Sequence, residues 1–268
     1  MKISDSEITQ KLKSKKYFAI DLDGTIYLGQ RLIPGTLDFL NGLRQKEKKF
    51  IFLTNNSSKN PLQYQQKLVQ LGIQVEATQV YTSGDATIEY LRQQQLGERI
   101  FILGTSALRQ QFQDSGFRFD ANQPDVVVLG FDLTFNYEKL NQACDFIRKG
   151  LPFIATHPDF NCPLEEGKML PDCGALSAAI TAATGVKPTV IGKPNLTMLT
   201  GILSRFKCQA DELVLIGDRL MTDIQMGKNF NIPTILVLSG ETHLPHLKQS
   251  PILPDLIVQK TLDILNFL

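Results

Sequence analysis

Residues 17–25 read Tyr17-Phe18-Ala19-Ile20-Asp21-Leu22-Asp23-Gly24-Thr25. An apolar run ends in two carboxylates one residue apart, with Gly and Thr directly after. This is the pattern of a buried strand over about 17 to 22, with Asp21 emerging where the sheet stops. Buried carboxylates are costly unless paired or bound to a metal. Gly24 lets the backbone turn sharply beyond them. The plain alternative is an Asx-type turn closing a strand, common for Asp-Gly. The flanking chain decides between the two.

Downstream, Pro34-Gly35-Thr36 opens a helix with Leu37, Leu40 and Leu43 on one side. A second apolar strand, Phe50-Ile51-Phe52-Leu53, runs into Thr54-Asn55-Asn56-Ser57-Ser58. Pro61 sits where the first turn of a helix tolerates it, and that helix ends near Leu71-Gly72. Upstream, a short amphipathic helix is expected over 4–13, with Ser4 as cap, Glu7 reaching back, and Ile8 and Leu12 on one face. Strands that are nearly all apolar and alternate with helices predict a parallel sheet covered on both faces. In such sheets the working residues gather beyond the carboxyl ends of the strands. Asp21 and Thr54 both stand at such ends, which demotes the turn reading.

Residues from about Ser83 to Gly185 read as a second α/β unit, with strands at 100–103, 126–129 and 153–155 and helices at 86–94, 107–115 and 137–148. It holds no Asp-x-Asp and no Gly-x-Gly-x-x-Gly, so it is read as a substrate-facing domain. A long loop, 156–172, precedes a helix of small residues over 174–184. The first pattern then resumes. Val190-Ile191 is read as a short strand ending in Gly192-Lys193-Pro194, a helix follows over about 196–206, and Leu213-Val214-Leu215-Ile216 leads to Gly217-Asp218-Arg219 with Asp223 beyond. A helix to about Phe230, a strand over 234–238, and a terminal strand and helix (256–258, 262–268) finish the chain. The expected organisation is a discontinuous α/β core domain, 1–82 and 186–268, interrupted by an inserted domain at 83–185.

The charges nearly balance, 28 Lys and Arg against 27 Asp and Glu. No basic excess points to nucleic acid. No apolar run reaches the roughly 18 residues needed to span a bilayer, so no membrane partner is expected. The opening MKISDSEITQKLKSKK lacks the apolar centre of a secretory signal. Together these predict a cytoplasmic protein. Cys144, Cys162, Cys173 and Cys208 form no C-x-x-C pair and are read as free thiols, although Cys162 and Cys173 bracket one loop. His243 and His246 are read as surface loop residues. His157 either touches substrate or belongs to the structure of its loop.

Four strand ends of the expected core carry polar equipment: Asp21 with Asp23, Thr54 with Asn55, Lys193, and Asp218 with Asp223. Four converging carboxylates cannot all ionise without a compensating cation. An all-oxygen set favours a hard divalent ion, Mg²⁺ above zinc. With Lys193 as a second positive charge, the site suits a dianion, and phosphate is the obvious one. Phosphoryl transfer then assigns the roles. Asp21 is the candidate nucleophile, and Asp23 the acid for the leaving alkoxide and base for the attacking water. The Thr54 hydroxyl and the Asn55 amide donate to phosphoryl oxygens, and Lys193 neutralises their charge. Asp218 ligates Mg²⁺ beside Asp21 and the backbone carbonyl of Asp23. Asp223 is placed in the outer shell, holding metal waters or the lysine.

Asp-Leu-Asp-Gly-Thr, Thr54 after a strand, Lys193 before Pro, and Gly-Asp-Arg-Leu-Met-Thr-Asp, in that order, resemble the four motifs of the haloacid dehalogenase (HAD) superfamily. LTNNSS, ATHPDFNCP and GDRLMTDI resemble its NagD / 4-nitrophenylphosphatase subfamily. The resemblance covers about residues 17 to 258. Met221 and His157 stand where relatives often carry other residues. It implies a Rossmann-like parallel-sheet core with an inserted α/β C2-type cap domain, and a Mg²⁺-dependent phosphatase of small phosphorylated metabolites. A homodimer is allowed, with the exposed cap faces as the place to look. Two other readings remain. A receiver-type module phosphorylated on Asp turns over slowly, and Asp23 argues against it. Phosphomutase or dehalogenase chemistry belongs to the same superfamily, and a dehalogenase needs neither Mg²⁺ nor an acid at Asp23.

Overall fold

The computed structural model describes residues 5–163 and 168–268. The cap expected of Ser4 lies outside the described residues. Chain contacts divide the protein into two compact units. The first holds the chain up to Thr54, Gln65–Tyr81 and Leu199–Leu268. The second holds Asn55–Tyr64 and Thr82–Met198.

The first unit is built on a six-stranded sheet in the spatial order 256–258, 234–237, 213–217, 17–21, 49–54 and 80–82. The strand Tyr17–Asp21 lies inside it, pairing in parallel with Leu213–Gly217 on one side and Lys49–Thr54 on the other. Phe18, Ile20, Phe52 and Val214 are fully buried. Burying one such side chain is worth about 1.5–3 kcal/mol, so these runs belong inside a sheet covered on both faces. In the helix Thr36–Gln45 the buried apolar face is Phe39, Leu40 and Leu43. Leu37, expected on that face, is exposed. Six residues correspond to about 1.7 turns of helix, which carries Leu37 off the stripe that Leu43 occupies.

The helix Asp5–Lys13 buries Ile8 and Leu12, as their spacing predicts. Two elements near the C-terminus depart from expectation. The last one, Thr261–Phe267, is a 3-10 helix and not an α-helix. A short α-helix, Leu244–Gln249, occupies the segment read as a loop around His243 and His246; Pro245 sits in its first turn, where proline is tolerated. His243, just before it, is exposed.

The second unit contains a five-stranded parallel sheet in the order 189–190, 153–155, 126–129, 99–103 and 118–119. Its core gathers Phe101, Leu103, Val127, Leu129, Phe146 and Ile180. The helix Cys173–Thr184 starts at Asp172, whose carboxylate accepts from the Cys173 N–H at 2.6 Å. Two expectations are corrected here. The strand before Lys193 is Thr189–Val190, paired with Ile154 and Ala155, so it extends this second sheet and not the first. A two-residue strand carries too little pattern to show which sheet takes it. The 156–172 segment, read as one long loop, contains an antiparallel ribbon of Asn161–Pro163 and Met169–Pro171.

Candidate active site

Adjacent parallel strands bring Asp21 and Asp218 together. Ile20 is in register with Ile216, so both strands finish at the same edge with an acid at or just beyond the last residue. The chain after Asp218 winds through a π-helical turn, Leu220–Ile224, which returns Asp223 to the same place. Such single wide turns recur at functional sites. The three acids are buried, and one carboxylate oxygen from each lies within 4.8 Å of the others. Asp223, which the sequence assigns to the outer shell, lies in this trio beside Asp218.

The trio is electrostatically unfinished. Oδ2 of Asp218 accepts from the Glu241 N–H at 2.6 Å, while Oδ1 is buried with no hydrogen-bond partner among the described residues. Burial, and then the neighbouring Asp223 carboxylate, push Asp218 up to about 7. A lone pair left unsatisfied inside a cluster of acids is where a cation belongs. The donors are all oxygen, which fits a hard divalent ion such as Mg²⁺. Gly24, with φ of +86°, closes the turn beneath, and a Cβ there would collide with the Asp218 carboxylate.

Asp23 lies outside the trio. It is half-buried just past the end of the first strand, and Oδ2 accepts from the Tyr27 hydroxyl at 3.1 Å. Gly24 N–H donates to the Tyr27 carbonyl at 2.8 Å, which ties the turn to that residue. Tyr27 lies outside the motifs that mark the other site residues. An aromatic hydroxyl four residues beyond the second acid, across a Gly turn, was the available signal. Thr54 is the buried last residue of the strand next to that of Asp21, with Asp21 in register with Leu53.

Asn55 and Lys193 are both buried and joined to each other. The Lys193 N–H donates to Asn55 Oδ1 at 2.7 Å, and Asn55 Nδ2 donates to the Lys193 carbonyl at 3.1 Å. One N–H of the Asn55 side-chain amide, which is expected to donate to a phosphoryl oxygen, is engaged with the lysine carbonyl. Gly192 N–H donates to the Thr156 carbonyl at 2.8 Å, and a Cβ on Gly192 would crowd Asn55 Oδ1, Thr156 O and His157.

His157 is fully buried. Its Nδ1 lies 2.8 Å from Thr156 Oγ1 and its Nε2 2.9 Å from Asp172 Oδ1. Of its two readings, the structural one holds, because both ring nitrogens have protein partners. The four cysteines are free thiols. Burial pushes the Cys173 thiol up to about 12, so it is not a nucleophile at neutral pH.

Residues 18–118 match the family model described as haloacid dehalogenase-like hydrolase, and 190–264 match a HAD-hydrolase-like model. The chain is 35% identical to the 5'-nucleotidase YutF of Bacillus subtilis over 88% of its own length and 92% of that protein. It is 35% identical to the acid sugar phosphatase of Staphylococcus aureus, covering 91% of this chain and 94% of that one. Among solved structures, the 4-nitrophenylphosphatase of Thermotoga maritima is similar at a TM-score of 0.92 and 43% identity, covering 96% of this chain and 98% of that one.

Proposed function

Since the chain belongs to the haloacid dehalogenase-like hydrolases and is a phosphoric monoester hydrolase, we propose that it is a Mg²⁺-dependent phosphatase of small organic phosphates acting through an aspartyl-phosphate on Asp21. The observation that carries this reading is the buried trio of Asp21, Asp218 and Asp223 with its orphaned Asp218 oxygen. A carboxylate cluster of that kind is tolerable when a cation is bound and has little use otherwise.

In this reading a carboxylate oxygen of Asp21 attacks phosphorus, and the ester P–O bond breaks. Asp23 gives its proton to the departing alkoxide. It then takes a proton from the water that attacks the acyl phosphate, which releases phosphate and restores Asp21. The hydrogen bond from Tyr27 orients Asp23 for both transfers. Thr54 donates its hydroxyl to a phosphoryl oxygen, and Lys193 offsets the charge of the phosphoryl group. Asn55 acts through Lys193, fixing the backbone that carries it. Asp21, Asp218 and the carbonyl of Asp23 would hold Mg²⁺, with Asp223 beside them. The ion supplies the positive charge that lets these acids ionise together beside a phosphate.

The relatives include a 5'-nucleotidase and an acid sugar phosphatase, so phosphorylated nucleosides and sugars are the proposed substrate classes. 4-Nitrophenyl phosphate serves as an artificial substrate. A cytoplasmic location belongs to the same reading, and the four free thiols support it. No helix among the described residues is long and apolar enough to cross a membrane. Asp21→Asn tests the proposal. Turnover of 4-nitrophenyl phosphate in Mg²⁺ should disappear while the fold is kept. Full activity would exclude the mechanism.

A further inference from the structure

We propose that the first unit carries a second ligand site, at the opposite ends of the strands bearing Asp21 and Thr54, for a phosphate anion joined to a planar ring, the chemistry of a nucleoside phosphate. The site is a cleft of about 430 Å³ around the start of the strand Lys49–Thr54. Arg44, Lys48, Lys49 and Arg205 line it together with Phe50 and Phe206. Tyr17 and Asp21 are four residue steps apart along their strand, about 13 Å at the usual rise. The cleft is therefore remote from the acidic trio.

Charge is the first argument. The whole chain is nearly balanced, with 28 basic and 27 acidic residues. Yet among the described residues lining this cleft there are four cations and no Asp or Glu. Burial, and then Lys46, lower the pKa of Lys48.

The bland alternative is a set of solvated surface side chains, and their geometry argues against it. Arg44 donates from Nη1 to Asn41 Oδ1 at 3.0 Å and from Nη2 to the Gln74 carbonyl at 2.7 Å. Its guanidinium lies 5.3 Å from the centre of the Phe50 ring. Lys48 Nζ donates to the carbonyls of Lys13 and Lys15 at 2.8 and 2.7 Å. Arg205 lies 4.9 Å over Tyr81, and Lys49 lies 5.6 Å over Tyr17. Arg44 and Lys48 are held by these hydrogen bonds before any ligand arrives, and among the described residues Arg44 uses two of its five donors. Preorganised guanidinium groups match phosphate oxygens.

The ring is the second argument. Phe206 is half-buried and packs on Tyr17 with 4.9 Å between ring centres. An aromatic wall beside arginines offers a stacking surface for a heterocycle as well as charge for its phosphate. The volume falls within the range of small-ligand pockets, about 300–1,000 Å³.

The test is calorimetric titration of the full chain, in chelator, with α,β-methylene-ADP and separately with inorganic phosphate. Wild type, the double variant Arg44→Ala/Arg205→Ala, the milder Lys49→Ala and the catalytic-site variant Lys193→Met are compared. The expected result is binding of the analogue that weakens about tenfold or more in the double variant and less in Lys49→Ala. Lys193→Met should leave the cleft-dependent part of that binding unchanged. Retained kcat/KM on 4-nitrophenyl phosphate in the two cleft variants shows that they are folded. If the double variant does not fold, Lys49→Ala decides alone. Unchanged affinity in the cleft variants, loss of binding in Lys193→Met, or inorganic phosphate binding as tightly as the analogue would overturn the proposal.

Discussion

Asn55 grips the backbone of Lys193 on both sides of its α-carbon, its Oδ1 accepting from the lysine N–H at 2.7 Å and its Nδ2 donating to the lysine carbonyl at 3.1 Å. One side chain thereby satisfies two buried main-chain groups. It also links the segment after Thr54 to a segment 138 residues further along. Thr156 and Gly192 continue the arrangement, and His157 with Asp172 braces it from behind.

Asn55→Ala should remove both hydrogen bonds that the side chain makes to the buried Lys193 backbone. Losing each costs about 1–3 kcal/mol, so a stability loss of about 2–6 kcal/mol is expected in urea unfolding. Turnover should fall more than about tenfold with a smaller change in KM, because the variant misplaces a charge that acts on the transferring group. Wild-type stability and kcat in this variant would remove Asn55 from the account.

Asp218→Asn separates the two sides of the acidic trio. Without divalent ion the substitution removes a buried like charge, so the variant should be as stable as wild type or more so. Added Mg²⁺ should raise the melting temperature of wild type and leave the variant unmoved, by the linkage of binding to folding. Differential scanning calorimetry with and without Mg²⁺ reads both effects. Equal stabilisation of the two proteins would place the cation elsewhere.

Much of this site was readable because burial leaves a strong mark on sequence. Phe18 to Ile20, Phe50 to Leu53 and Leu213 to Ile216 are continuous apolar runs since both faces of their sheet are covered. An acid or hydroxyl directly after such a run stands out, which made Asp21, Thr54 and Asp218 legible. The rest depends on partners that pattern does not encode. Thr189–Val190 is too short to declare its sheet. His157 takes its character from Asp172, 15 residues on. The Asn55 amide is turned to a distant backbone, and the wide turn that returns Asp223 has no distinct sequence signature.

Asp255 provides a pH prediction at the far side of the same sheet. Its Oδ2 accepts from the Thr234 N–H and hydroxyl at 2.9 Å each and from Lys228 Nζ at 3.0 Å. Burial alone would raise its pKa, but the hydrogen bonds from Thr234 and Lys228 outweigh it and hold the carboxyl below its usual value. A depressed folded-state pKa contributes stability that is present above the unfolded value, about 3.9. That stability is lost as pH falls through the folded-state value. Asp255→Asn should cost about 1–2 kcal/mol at pH 7 and flatten the acid limb of a stability-versus-pH curve. An acid limb unchanged from wild type would contradict the assignment.

The claim that everything else serves is that Asp21 forms a bond to phosphorus. Quenching the enzyme during steady turnover of 4-nitrophenyl phosphate, reducing with borohydride and mapping the peptides by mass spectrometry tests it most directly. The account predicts homoserine at position 21, from reduction of an acyl phosphate on Asp21, and none in Asp21→Asn. Homoserine at another acid, or undiminished turnover by Asp21→Asn, would contradict it.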